Sequence, residues 1–260
     1  LRREKQKQKK EMHRMSEICC CTDSISGCLV CGRELFCTPD KPLRARCFYC
    51  GKEEITYTFC LEGHYVCDDC HRNSILDLVE QTCLQSDLAD PLALLVEIFK
   101  LPNLHMHGPE YHSIVPAVLV AAYGNSTKKK DEAAIKEAVS RGKAVSGGIC
   151  GTHGACGACL GVGIAYSIIN RVTPYSTKTR GEANRMTALA LQAVSRMGGP
   201  RCCKRESMLA VETARKHFNC FPPSEENSYT CGQHSANEMC IRNRCPYYPQ
   251  ESGGTQLAKG

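Results

Sequence analysis

Four pairs of potential metal ligands crowd the first third of the chain: Cys28-x2-Cys31, Cys47-x2-Cys50, Cys60-x3-His64 and Cys67-x2-Cys70. A two-residue gap lets both sulfurs of a pair reach one ion from a tight turn, and zinc asks for four nitrogen or sulfur ligands at tetrahedral corners. The sixteen residues between Cys50 and Cys67 match the spacing of a zinc ribbon. That spacing predicts Cys47, Cys50, Cys67 and Cys70 on one ion and Cys28, Cys31, Cys60 and His64 on a second, interleaved with it. Gly32 and Gly51 follow the second cysteine of a pair, where the turn calls for a positive φ. Cys19, Cys20, Cys21, Cys37 and His71 are near enough in sequence to compete, and four thiolates also suit iron. Sites of this kind mainly hold small domains together where an apolar core cannot.

A second constellation lies further on. Cys150, Cys156 and Cys159 are interleaved with glycines between Gly147 and Cys159, and glycine lets backbone approach a bulky ligand. The vicinal pair Cys202-Cys203 follows Gly198-Gly199-Pro200-Arg201 at an expected helix start. The positive helix end together with Arg201, Lys204 and Arg205 is expected to lower the thiol pKa values there. Cys150, Cys156, Cys159 and Cys202 would complete a four-thiolate iron–sulfur site, with Cys203 left as a reactive thiol. The competing reading is a close-packed helix with small buried cysteines, since Cys156 and Cys159 share one helical face in either case. His105, His107, Glu110 and His112 form a polar group ahead of an apolar helix, suited to acid–base chemistry or to a hydrogen-bonded loop.

A third set, Cys220, Cys231, Cys240 and Cys245-Pro246, is spaced too irregularly for a ribbon but suits a loop wrapped around an iron–sulfur cluster. His234 is a substitute ligand. The surrounding polar, proline-rich segment has little else to order it.

Composition narrows the setting. With 21 cysteines in 260 residues, cysteine chemistry decides architecture. The odd count and the CxxC spacings favour metals in a reducing, cytoplasmic compartment over disulfides. No secretory signal and no apolar run of membrane-spanning length appears. The net charge of +6 gathers in residues 1–14. No aromatic residue is interleaved there to stack on bases, which favours a solvated extension over a nucleic-acid arm. Leu1 in place of Met is consistent with a chain cut from a longer one. No Walker-type loop is present.

These residues must be carried by a basic extension (1–17), a zinc knuckle (18–71), a helical core (72–218), a cysteine cluster (219–250) and a tail (251–260). The fold expected is mainly α, with a small β hairpin in the knuckle: Ile55 to Phe59 as one strand and Tyr65-Val66 as its return. Helices are expected at 74–84, 92–101 behind Asp90-Pro91, 109–123, 131–141, 154–170, 182–197 and 200–218. The glycine-rich helix 154–170 is apolar all round and is expected to be central.

The motifs Cys-x2-Cys-Gly-Arg-Glu-Leu at 28–35, Gly-His-Tyr-Val-Cys-Asp-Asp-Cys-His at 63–71, Met-His-Gly-Pro-Glu-Tyr-His at 106–112, the 147–163 segment and Gly-Pro-Arg-Cys-Cys-Lys-Arg at 199–205 give a specific likeness. On them the chain resembles an uncharacterised cysteine-rich domain family of anaerobic bacteria and methanogenic archaea, over residues 28 to about 245. The resemblance implies an anaerobic setting and a radical-SAM or methyltransferase protein as attached domain or partner. The glycine–cysteine segment is also similar to that of iron–sulfur lyases such as serine dehydratases and cysteine desulfidases, although the rest of those folds is not recognisable.

Three functions are consistent with this reading. The first is a zinc and iron–sulfur protein of redox or sulfur handling. The second is an iron–sulfur lyase or transferase with His107 or His112 moving the proton. The third is a zinc-knuckle module that binds a protein or nucleic acid.

Overall fold

The computed structural model describes residues 28, 35–37, 41–48, 51–101, 104–222 and 229–250. It divides into two compact units, residues 1–74 and 75–260. The fold is mainly α, with small antiparallel β pairs in the N-terminal unit.

In the N-terminal unit, β1 (Leu35–Cys37) pairs antiparallel with β4 (Thr58–Cys60), and β2 (Leu43–Arg46) pairs antiparallel with β3 (Glu53–Thr56). The expected single strand from Ile55 to Phe59 is therefore broken. Thr56 Oγ1 donates to Thr58 O at 2.9 Å and the chain bends at Tyr57, so its two halves join different partners. Tyr65-Val66 is not a strand; Tyr65 O instead accepts from Phe48 N at 2.7 Å. Among the described residues of this unit, the buried ones are Cys28, Cys47, Cys60, Cys67 and Thr56. Phe48 and Ile55 are 58 % and 66 % exposed. Apolar burial on that scale cannot offset the entropy of ordering the chain.

Helix α1 (Asp68–Gln85) crosses the boundary between the units. Its buried stripe is Ile75, Leu76, Val79 and Cys83, while Leu78 is exposed. In the helical unit, α2 (Pro91–Phe99) opens with the Asp90 side chain accepting from Leu92 N at 3.1 Å and Pro91 in the first turn. Then follow α3 (Tyr111–Thr127), α4 (Glu132–Lys143), the four-residue α5 (Ile149–Thr152), α6 (Gly157–Ile169), α7 (Lys178–Met197) and α8 (Cys203–His217). Two 3₁₀ turns, His234–Ala236 and Arg242–Arg244, shape the C-terminal segment.

Helix α6 is central, as expected, packing against α3, α4, α7 and α8, and it shares that place with α3, which packs against α2, α4, α6 and α8. Almost every residue from Tyr111 to Ala122 is buried, so no face is left for solvent. The glycine stripe of α6 serves this contact. A Cβ on Gly161 would sit 2.8 Å from Pro116 Cδ, and one on Gly157 would sit 2.1 Å from His112 Cδ2. Only glycine allows the two helices to approach so closely.

Candidate metal and thiol sites

Cys28, Cys60 and His64 are brought together in the N-terminal unit, their ligand atoms all within 4.8 Å of one another. Four ligands about one zinc ion at 2.3 Å bond lengths stand roughly 3.8 Å apart, so the group is close to ligating geometry. Strand β4 delivers Cys60, and a turn with Gly63 N–H on Cys60 O at 2.8 Å folds His64 back to it. Cys60 Sγ and His64 Nδ1 lie 3.9 Å apart. Cys31, their expected fourth partner, lies outside the described residues.

Of the other expected quartet, Cys47 and Cys67 are both buried, and Cys67 N–H donates to Cys47 Sγ at 3.4 Å. Gly51 N–H closes the Cys47 turn on Cys47 O at 2.9 Å, and Gly51 has φ +73°. Cys50 lies outside the described residues, as do Cys19, Cys20, Cys21 and Gly32. Cys70 and His71 fall in the part of α1 described by its backbone alone.

In the helical unit the thiols gather in two places, and the vicinal pair divides between them. Cys202 is the extended residue before α8, and Cys203 is the first helical residue. Cys203 faces the 104–110 loop, where Gly108 N–H donates to it, and Cys156 lies near enough to act on its charge. Cys156 and Cys159 hydrogen-bond one another. Cys156 S–H also donates to Glu206 Oε2 at 3.3 Å, and Glu206 Oε1 accepts from Cys202 N at 3.1 Å. Cys202 lines a different place, a pocket shared with Cys231, Cys240 and Cys245. Cys150 sits half-buried on α5 and does not line that pocket. Cys220 is also apart: its carbonyl accepts from Ser126 Oγ, and burial pushes its thiol up to about 11.

The expected lowering of the thiol pKa values at the start of α8 is reversed. Cys202 and Cys203 are both raised, first by burial, which outweighs the lowering by Arg205 on Cys202 and by Arg201 on Cys203. Cys159 is raised most by the hydrogen bond with Cys156 and next by burial. These thiols are protonated at neutral pH, and a metal entering among them must displace their protons.

The histidines lie beside these thiols. His112 Nδ1 is 3.0 Å from Val145 O and, since a carbonyl only accepts, carries the proton of that bond. The imidazole rests on Gly157 at the start of the helix that carries Cys159. His107 Nε2 is 3.4 Å from Asn237 Oδ1, and burial is the first cause lowering its pKa, so the ring is neutral at pH 7. Glu110 is fully buried, folded under Gly108, with His105 Nδ1 at 3.4 Å from Oε1. Loop 104–110 thereby places an acid and two imidazoles over the Cys203 side of α8.

A comparison with protein families matches residues 79–248 to a family of unknown function, DUF5714. The chain belongs to that family. The match takes in the cysteines from Cys83 to Cys245 and ends before the tail, while the N-terminal ligand pairs lie outside it. No curated protein and no solved structure matches the chain.

Sequence reasoning missed Glu206 as part of these sites, and took Lys204 and Arg205 for charges acting on the thiols without seeing that they are buried. Their signal was present as an acid and two bases in the first turn of a helix behind two cysteines. Burial, which gives those charges their weight, is not written in the sequence.

Proposed function

We propose that the protein is a metal-binding protein of anaerobic metabolism, with zinc in the N-terminal unit and iron–sulfur in the helical unit, acting in redox or sulfur handling. The observation that carries this reading is the convergence of Cys28, Cys60 and His64 in a unit whose described buried residues are four cysteines and Thr56. A domain so poor in core has a metal as its source of stability. Two zinc ions are assigned, one to Cys28, Cys31, Cys60 and His64, the other to Cys47, Cys50, Cys67 and Cys70. A radical-SAM or methyltransferase protein is the partner this reading implies. Element analysis of anaerobically purified protein tests it. About two zinc per chain are expected, with one lost in Cys60→Ser. Metal-free folded protein rules the reading out.

A second reading, an iron–sulfur-dependent lyase or transferase on a small substrate, is favoured by the loop that sets neutral His107 near Glu206 and the α8 thiols. Here His107 accepts a substrate proton at its Nδ1. Turnover of small hydroxy or thiol acids that disappears in His107→Ala, with metal content unchanged, supports it. Turnover indifferent to that substitution removes it.

A further inference from the structure

We infer that Cys202, Cys231, Cys240 and Cys245 are the four thiolate ligands of a polynuclear iron–sulfur cluster whose buried counter-charges are Lys204 and Arg205. The inference deepens the metal-binding reading of the helical unit and rests on it. It replaces both groupings that spacing suggests, because Cys202 joins the C-terminal cysteines and Cys220 does not.

All four side chains line one pocket together with Lys204 and Arg205. The C-terminal segment is folded to present them. Cys231 N–H donates to Tyr247 O at 2.8 Å, and Cys245 N–H closes the Arg242–Arg244 turn on Arg242 O at 2.7 Å. Cys240 Sγ already accepts Arg242 N–H at 3.4 Å. Backbone N–H groups aimed at cysteine sulfur stabilise the charge a ligating thiolate carries.

The spread of the four sulfurs decides between one ion and several. Among the described residues the group of three donors mutually within 4.8 Å is Cys28, Cys60 and His64, so no three of these four thiols are that close. A single tetrahedral ion would need all four at roughly 3.8 Å. A cluster distributes its thiolates over different irons and sets them further apart around the cluster core.

The charges complete the case. Lys204 and Arg205 are each 3 % exposed, and Glu206 is the carboxylate beside them, 3.5 Å from Arg205 Nη2. Lys204 Nζ meets Phe99 O at 3.4 Å and the Phe99 ring face at 4.9 Å. Arg205 gives Nη2 to Gly198 O and Pro200 O, and its buried Nε has no partner. Two buried cations against one carboxylate leave an excess of positive charge that burial penalises heavily. An anionic tetrathiolate cluster supplies the missing charge, and Arg205 Nε and Lys204 Nζ can donate to its sulfurs. As each Fe–S(Cys) bond forms, the thiol proton leaves to solvent.

Iron, acid-labile sulfide and zinc are measured on the full chain purified anaerobically, for wild type, Cys202→Ser, Cys245→Ser and Cys220→Ser, with far-UV circular dichroism for helix content. Wild type is expected to hold iron and sulfide in equal amounts. Cys202→Ser and Cys245→Ser should lose iron by about tenfold, while Cys220→Ser keeps it and zinc is unchanged throughout. Iron retained in Cys202→Ser, or lost from folded Cys220→Ser, overturns the assignment. Should Cys202→Ser fail to fold, Arg205→Gln decides: a retained cluster with a shifted reduction potential supports the site, and an unmoved potential counts against it. Zinc without iron in wild type defeats the cluster and leaves the N-terminal zinc reading standing; absence of both metals defeats both.

Discussion

Cys202 and Cys203 are neighbours in the chain with separate surroundings, because the backbone turns from extended to helical between them. His107 shows how surroundings also set protonation. Burial is the first cause that lowers its pKa, with Arg201 and Arg205 adding to the effect against Asn237 and Glu206. The folded protein therefore binds this proton less tightly than the unfolded chain, whose histidine titrates near 6.5. Stability contributed by the neutral ring is present above pH 6.5 and is lost as pH falls through the window below it. An NMR titration should place the His107 midpoint below 6.5, and His107→Gln should flatten the acid side of the stability profile. At Gly157, a methyl group would enter the space of the His112 ring. Gly157→Ala is expected to cost about 1–3 kcal/mol in denaturant unfolding, the cost of overpacking. A neutral effect would mean that the imidazole is free to move aside.

At the scale of elements, the cap at Asp90 was readable because it is local, whereas Asp131, expected inside its helix, proves to be a cap. Asp90 accepts Leu92 N–H ahead of Pro91, and Asp131 accepts Ala134 N–H at 3.1 Å ahead of α4. Asp90→Ala should lower stability by about 1 kcal/mol from the lost cap. Asp90 also lies 3.8 Å from Arg215 Nη1, so the loss should exceed that of Asp131→Ala, as paired urea titrations can show. That two helices share the centre was less legible. Helices α3 and α6 are both apolar, and sequence alone singled out the glycine-rich α6, which does pack against four other helices. Glycine lets α6 come close to α3, while the bulk of Tyr111, Ile114 and Leu119 fills the middle from α3. The broken strand at Tyr57 escaped notice for a related reason: an unbroken run of β-favouring residues does not record a change of pairing partner.

The whole molecule divides into parts stabilised in different ways. The helical unit has a continuous apolar core from Ile75 to Tyr247, whereas the described core of the N-terminal unit is cysteine. A zinc chelator under reducing conditions should therefore unfold residues 35–67 while the helical signal persists. Limited proteolysis is expected to cut that unit first, leaving a fragment that begins near Ile75. Simultaneous loss of all helix on chelation would show that the two units depend on the same metal.

The sequence by itself determined which residue types could ligate a metal, the closeness of near neighbours such as Cys60 and His64, the helical class and most helix positions. These follow from spacing and caps that act over a few residues. Tertiary structure alone decided that Cys202 shares a pocket with Cys231, Cys240 and Cys245, that Cys203 goes with Cys156, and that Cys150 and Cys220 do not line that pocket. Those groupings join residues tens of positions distant, and they depend on how α3, α6 and α8 pack. Packing also reversed the expected acidity of the thiols, since removing a thiolate from water outweighs the nearby arginines.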